Sequence, residues 1–273
     1  MKALLFTALT LFAAAPVIAQ DAEDDSPFSR LDWHRGPGSE DIARKATLRT
    51  GESISFLDEA NSRRFLELTG NIPEDGNYII VSSTEDADWW ATFTFDPVGY
   101  VKDDEKIDAD ELLSTLKDND VPANEYRRQL GLGELHTIGW AVAPHYDTQT
   151  RRLEWGLRLR SDEGESVNYT VRLLGRTGVM NATLVTDPET LERDIPSFKA
   201  SLAGFAFNPG ETYAEYREGD RVAEYGLAAL VVGGAAAIAA KTGFLAKFWK
   251  LIVGGAVALF AALGKLFGRK KKV

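Results

Sequence analysis

The sequence contains no cysteine, which excludes disulfide bonds, thiol nucleophiles and cysteine-ligated metal centres. Its three histidines, His34, His136 and His145, are far apart, and no two stand at the spacing of a zinc-binding pair. A Gly-x-Ser-x-Gly nucleophile elbow and a glycine-rich phosphate loop are also missing. The sequence therefore predicts no cofactor and no zinc site.

Acidic residues are absent from the C-terminal segment 225–273, although they are common elsewhere. Two apolar runs in this segment, 227–240 and 251–264, contain no charged residue. A full membrane span needs about 17–20 mostly apolar residues, which each run reaches with its flanks. We therefore predict a membrane anchor over 220–268, with apolar helices at about 222–240 and 248–267, followed by a basic tail at 269–273.

Small residues recur at helical spacing in both runs and allow two helices to approach closely in lipid. Trp249 suits the membrane interface. The predicted anchor residues are Leu227, Gly233, Gly234, Trp249, Gly254 and Gly255. The alternative is a buried helical hairpin of a soluble protein, although helices that are apolar on all sides belong to large cores or membranes.

The N-terminal segment 1–19 has a basic start, an apolar stretch and small residues before a cleavage point after Ala19. This pattern is typical of a secretory signal peptide, and an uncleaved N-terminal anchor is the alternative. We expect a disordered acidic leader at 20–30 and an exported domain at 31–219. In a bacterium this places the protein at the inner membrane with the domain in the periplasm. The apolar runs are expected to insert together, with 241–250 on the cytoplasmic side; one full span and a re-entrant second helix is the alternative.

Charge is divided unequally along the chain. Nine of the 31 Lys and Arg residues lie in the signal and tail, which leaves 22 basic residues against all 41 Asp and Glu in the rest of the chain. An acidic domain repels nucleic acid, so nucleic acid is not an expected partner. The expected partners are the lipid bilayer, through the tail, and an envelope protein. The acidic charge is also suited to divalent cations or a basic partner.

The remaining pattern predicts an α+β fold. Strand-like segments at 135–142, 153–159, 167–174 and 179–185 are joined by short turns, which favours an antiparallel meander sheet. Helices are predicted at 39–46, 58–68 and 188–205, and in two pieces between 108 and 130. We expect these helices to pack on one face of the sheet, followed by the C-terminal transmembrane helices.

Few residues qualify as a catalytic or metal site. His145 has a carboxylate two residues away, Asp147, and this pair is the best acid–base candidate, although a turn explains it as well. Asp103, Asp104 and Glu105 begin the densest acidic cluster, but their spacing does not match a calcium loop. Carboxylates collected at a helix N-terminus are the favoured interpretation of that cluster.

Four long segments resemble a known bacterial family. They are GYVKDDEKIDADELL, GWAVAPHYDTQTRRLEWGL, VNYTVRLLGRTGVM and AEYGLAALVVGGAAAIAAK. Together they are similar to the uncharacterised membrane-anchored proteins that carry domain of unknown function 2167. The resemblance implies an exported domain with a C-terminal anchor and implies no activity or catalytic residue.

These observations favour a non-enzymatic binding or scaffolding module of the bacterial envelope. The alternative is an envelope hydrolase that uses carboxylate and histidine acid–base residues, with His145 and Asp147 as its candidates.

Overall fold

The computed structural model describes residues 26–82, 84 and 89–233, which form an α+β domain. An antiparallel sheet has eight strands in the spatial order β1-β4-β5-β6-β10-β9-β8-β7, and a smaller sheet has the order β11-β3-β2. The strands are β1 (His34–Arg35), β2 (Gly38–Ile42), β3 (Ala46–Thr50), β4 (Ile54–Leu57), β5 (Asn77–Ser82), β6 (Trp90–Asp96), β7 (His136–Asp147), β8 (Arg152–Ser161), β9 (Gly164–Leu174), β10 (Val179–Thr186) and β11 (Phe205–Phe207). The helices are α1 (Glu59–Leu68), α2 (Ala109–Gln129), α3 (Leu191–Leu202) and α4 (Leu227–Val231), with 3-10 turns at Pro27–Arg30 and Tyr213–Glu215.

The predicted meander is confirmed. Strands β7 to β10 follow one another in the chain and are neighbours in the sheet, each antiparallel to the next. The β8–β9 hairpin closes tightly, because Ser161 pairs with Gly164 and only Asp162 and Glu163 lie between them. Short links of this kind allow antiparallel neighbours.

The helix predicted at 39–46 was wrong, because this segment forms the β2–β3 hairpin. Ala43 and Arg44 at its turn both have positive φ, 55° and 57°, which is typical of tight hairpin turns. Ile42, Ala46 and Leu48 are buried in the main core, and β3 also pairs with β11 from much later in the chain. Ser39, Glu40 and Asp41 resemble a helix start locally, but tertiary burial decides the structure.

Helices cover both faces of the large sheet, and the expectation of a single covered face was therefore wrong. Neighbouring strand residues point to opposite faces. Ile80 belongs to the core that holds Phe198 and Leu202 of α3, whereas Ile79 packs with Phe65 of α1. The strands supply apolar residues at adjacent positions, so both faces need cover.

The region between 108 and 130 forms one helix, α2, rather than the two predicted pieces. Asp108 caps its start by accepting hydrogen bonds from the backbone N–H groups of Asp110 and Glu111. Pro122 lies inside it, and polar contacts on both sides of the proline hold the helix against β7. Asp120 accepts from the Thr137 N–H at 2.7 Å, and the Asn124 amide exchanges hydrogen bonds with the Leu135 backbone.

Helix α3 is shorter than the predicted 188–205. It begins at Leu191, and Pro196 lies within it without ending it. Asp194 is fully buried and accepts hydrogen bonds from Thr186 and Thr190, so its carboxylate ties the first turn of α3 to the end of β10. These contacts place the apolar side of α3 on the sheet.

The folded domain extends beyond both predicted boundaries. Residues 26–30, assigned to the disordered leader, include the 3-10 turn, and Phe28 packs on Phe65 with ring centres 5.6 Å apart. At the other end, Val222 bridges to Tyr100, and Leu227 and Leu230 are buried in the core. Within 26–82, 84 and 89–233, no helix is both long and apolar enough to cross a membrane.

The close approach of β11 to β3 depends on Gly204. A Cβ at this position would lie 2.1 Å from the Arg49 carbonyl oxygen. We expect Gly204→Ala to lower the free energy of unfolding by about 1–3 kcal/mol, the range for overpacking. Gly51→Ala is the control, because a Cβ at Gly51 meets nothing within 4 Å. Urea unfolding of both variants tests this, and equal stabilities would contradict the close approach of β11 to β3.

Candidate functional site

A cleft of about 690 Å³ lies on the face of the large sheet that also carries α1. Its floor is formed by side chains of β6, β8, β9 and β10, among them Trp90, Leu159, Asn168 and Val185. The end of α1, the end of α2 with its following loop, and the β8–β9 hairpin form the walls. The volume lies within the range of about 300–1,000 Å³ for ligand pockets.

Both helical walls of the cleft are helix C-termini. Helix α1 ends with Gly70 at φ 68°, and the Asn71 N–H donates to the Leu66 carbonyl at 2.8 Å. Helix α2 ends in the same way, with Gly131 at φ 74° and the Leu132 N–H bonded to the Arg127 carbonyl at 2.9 Å. These are Schellman motifs, which need a left-handed residue that glycine adopts most easily. Since helix C-termini carry partial negative charge, both walls favour a cation.

Most of the charged side chains around the cleft are negative, like the partial charges of the helix ends. One guanidinium, Arg127, lines it together with five carboxylates, which belong to Glu134, Asp162, Glu163, Glu165 and Asp187. We call this site the acidic cleft.

Three of the five carboxylates are available to a ligand. Glu165 is bound by Arg160 at 2.6 Å, and Glu134 is near Arg128 and His136. Within the described part of the chain, Asp162, Glu163 and Asp187 make no ion pair, and all three are exposed. Their charge is therefore not balanced by a neighbouring cation.

Trp90 is the aromatic floor of the acidic cleft. Its ring packs edge-on against Phe65 of α1 with centres 5.3 Å apart, and the side chain is half-buried. The adjacent Trp89 points to the opposite face, where it is buried and donates to the Ser197 hydroxyl. An indole face beneath carboxylates is suited to a Lys or Arg side chain.

The structure does not join His145 to Asp147 as an acid–base pair. Asp147 accepts from the Gln149 and Thr150 N–H groups, and these turn hydrogen bonds lower the pKa of its carboxyl. His145 lies opposite Glu154, with His145 Nε2 and Glu154 Oε2 3.5 Å apart.

Glu154 is the carboxylate that sequence reasoning missed in this region. It is buried, and its Oε2 accepts from the Tyr169 hydroxyl at 2.5 Å and from Lys199 Nζ at 2.6 Å. Tyr169 and its neighbours belong to the core under α3, so this cluster lies on the opposite sheet face from the acidic cleft. Only its partners across strands and α3 reveal its importance, because Glu154 stands in the sequence as the polar position of an alternating strand.

The acidic cluster at 103–105 diverges in the structure. Asp103 accepts from the Tyr146 hydroxyl at 2.8 Å and from the Arg151 guanidinium, and Arg151 and Tyr146 lie at the two sides of the β7–β8 turn. Glu105 accepts from the Ala228 N–H at 3.0 Å at the start of α4, whereas Asp104 is exposed. Among the residues described, no three His, Asp or Glu side chains are grouped to hold a metal ion.

Two of the six predicted anchor residues can be placed. Leu227 is 1 % exposed and packs at the start of α4, and Gly233 follows that helix with φ 99°. The helix predicted from 222 thus begins at Leu227, and its first turn belongs to the domain core. Gly234, Trp249, Gly254 and Gly255 lie outside the described residues, and membrane insertion of the tail stays a prediction.

Comparison with known proteins gives one family match. The family model described as "Protein of unknown function (DUF2167)" matches residues 34–264, which confirms the resemblance seen in the sequence. No curated protein matches the chain. The solution structure of cyanobacterial PsbP (CyanoP) from Synechocystis sp. PCC 6803 is similar at 9 % identity and a TM-score of 0.35, covering 65 % of this chain and 92 % of that one. At this TM-score the likeness carries no argument about function.

The Glu154 cluster predicts a specific response to acid. Burial raises the pKa of the Glu154 carboxyl, but hydrogen bonds from Lys199 and Tyr169 and the charge of Lys199 outweigh it, so the net pKa is lowered. Stability from this group is therefore present above the unfolded-state pKa and is lost as pH falls through the folded-state pKa.

Lys199→Met should move the midpoint of acid unfolding to higher pH. We expect a loss of about 1–2 kcal/mol at neutral pH, less than for a fully buried pair because the Lys199 side chain is 40 % exposed. Lys117→Met is the control, since Lys117 is exposed and makes no ion pair in the described residues. Identical acid titrations of the two variants, followed by circular dichroism, would exclude a stabilising role for the Lys199–Glu154 pair.

Proposed function

Since the chain belongs to the family described as "Protein of unknown function (DUF2167)", which assigns no activity, we propose a function from the acidic cleft. The protein is a non-enzymatic module of the bacterial envelope that binds a basic segment of a partner protein. It is exported by its signal peptide and held at the inner membrane by its C-terminal tail, with the domain in the periplasm.

The polarity of the acidic cleft carries this proposal. Two helix C-termini and five carboxylates surround a site that contains one guanidinium, and the helix ends and the carboxylates favour a cationic ligand. Asp162 and Glu163 lie at the exposed tip of a hairpin, where a partner can reach them without a change in the fold. The acidic balance of the whole domain has the same sign and would attract a basic partner over a longer range.

Binding is favoured over hydrolysis by the positions of the acid–base candidates. His145 and Glu154 lie on the sheet face covered by α3, whereas the acidic cleft is on the other face. On that face, Glu154 and Lys199 already form an ion pair with each other. A ligand in the cleft would therefore not meet the residues proposed for catalysis.

The location is supported by the composition of the two chain ends. The segment 1–19 has the pattern of a signal peptide, and 225–273 is apolar and basic without an acidic residue. The family match extends through residue 264 and so includes most of that segment.

Removing charge from the acidic cleft should weaken binding of an oligolysine peptide to the full chain. In the triple variant Asp162→Asn, Glu163→Gln, Asp187→Asn, we expect about tenfold weaker binding at low salt. This follows from about 0.5 kcal/mol for each exposed carboxylate. Calorimetry measures the affinity.

A matched control separates the acidic cleft from overall charge. The variant Glu52→Gln, Asp104→Asn, Glu218→Gln removes the same charge from exposed positions outside the cleft. It should bind oligolysine nearly as tightly as the wild type. Equal weakening in both variants would reject the cleft as the binding site.

Export and anchorage predict two biochemical results. N-terminal sequencing of the protein recovered from bacterial membranes should begin at Gln20, because cleavage is expected after Ala19.

A reporter that is active only in the cytoplasm, fused after Val273, should be silent if both apolar runs span the membrane. An active reporter would show an odd number of crossings and reject the helical pair.

A further inference from the structure

Arg172 occupies an unusual position on β9. Its side chain shares the sheet face of Leu153 and Trp155, which belong to the core around α4, and the guanidinium carbon lies 5.7 Å from the Trp155 ring centre. Nη1 donates to the Asn181 amide oxygen, and the Asn181 amide donates in turn to the Thr94 hydroxyl at 3.1 Å. One edge of the guanidinium is thus held by a polar chain that crosses three strands.

The other edge of the guanidinium is unused. Nε is fully buried and has no hydrogen-bond partner, and Nη2 makes no hydrogen bond to any residue that the structure describes. Within the same residues, no carboxylate lies within 4.0 Å of Arg172. Burial lowers the pKa of this guanidinium to about 10. A buried donor without a partner is destabilising, and so is a buried charge whose opposite charge, here that of Asp96, lies beyond ion-pair distance.

Arg176, four residues further along the chain, shows what this edge can bind. Its Nε and Nη2 donate to the two carboxylate oxygens of Asp220, each at 2.7 Å. A guanidinium presents these two parallel donors to planar oxyanions such as carboxylate and phosphate. In Arg172 the same pair of donors has no acceptor.

We propose that the Nε–Nη2 edge of Arg172 is a binding site for the carboxylate or phosphate group of a ligand. Asn181 and Thr94 orient the guanidinium, and Trp155 supports its face. A purely structural residue at this position would be apolar, because a methionine has similar length and would pack on Trp155 without burying a charge.

This site is distinct from the acidic cleft. Asn168 on the cleft floor and Arg172 lie on the same face of β9, four residues apart, which is about 13 Å at strand spacing. The ligands have opposite charge. Either proposal therefore stands or fails without the other.

The test is the thermal stability of the full chain in phosphate, acetate and chloride at equal ionic strength. In the wild type, each tenfold rise in phosphate or acetate above its Kd should raise Tm by about 3–5 °C relative to chloride. The anion with the larger effect identifies the group that the site prefers. Arg172→Met should be at least as stable as the wild type in chloride and should lose this rise.

Arg30→Met is the control for the loss of one positive charge, because Arg30 is exposed and makes no ion pair in the described residues. It should keep the wild-type response. An equal response of Arg172→Met and the wild type would show an adventitious ion only and overturn the proposal, as would a wild type that does not respond.

A second measurement uses the unaltered protein and does not depend on folding of a variant. A buried Nε–H exchanges slowly with solvent, so Arg172 should give a protected Nε–Hε signal in a nitrogen-15 NMR spectrum. Titration with phosphate or acetate should shift this signal. A signal that stays fixed while other arginine signals move would place the anion elsewhere.

Discussion

The large sheet has to be covered on both faces, and the rest of the structure follows from this constraint. Adjacent residues such as Ile79 and Ile80 are both buried, although they point in opposite directions. Each buried side chain of this size stabilises the fold by roughly 1.5–3 kcal/mol, so neither face can be left to solvent. Helix α3 and the small sheet cover one face, and α1, α2 and α4 contribute to the other.

The acidic cleft exists because the cover of the second face is incomplete. Helices α1 and α2 both end above the sheet, and their glycine-closed C-termini leave a gap over Trp90, Val185 and Asn168. A gap between helix C-termini has a negative electrostatic potential from the backbone alone, before any side chain is considered. The β8–β9 hairpin then adds Asp162 and Glu163, so backbone and side chains favour the same kind of ligand.

Polar groups on the sheet are used in two different ways. Glu154 and Asp194 are buried with hydrogen-bond partners, and each ties α3 to the sheet through contacts with neighbouring elements. Arg172 has one hydrogen bond and an open edge. The difference lies in the partners and not in the residue type, because Arg176, just beyond the end of β9, is paired with both carboxylate oxygens of Asp220.

The sequence by itself determined the α+β class, the meander from β7 to β10 and the ends of α1, because alternation and capping signals act over a few residues. It also determined the family and the unequal distribution of charge. Only the tertiary structure decided that 39–46 forms a hairpin, that Glu154 faces Lys199 and that the ends of α1 and α2 meet the β8–β9 hairpin. These features depend on contacts between segments far apart in the chain. The local pattern of residues does not specify which of these segments pack against each other.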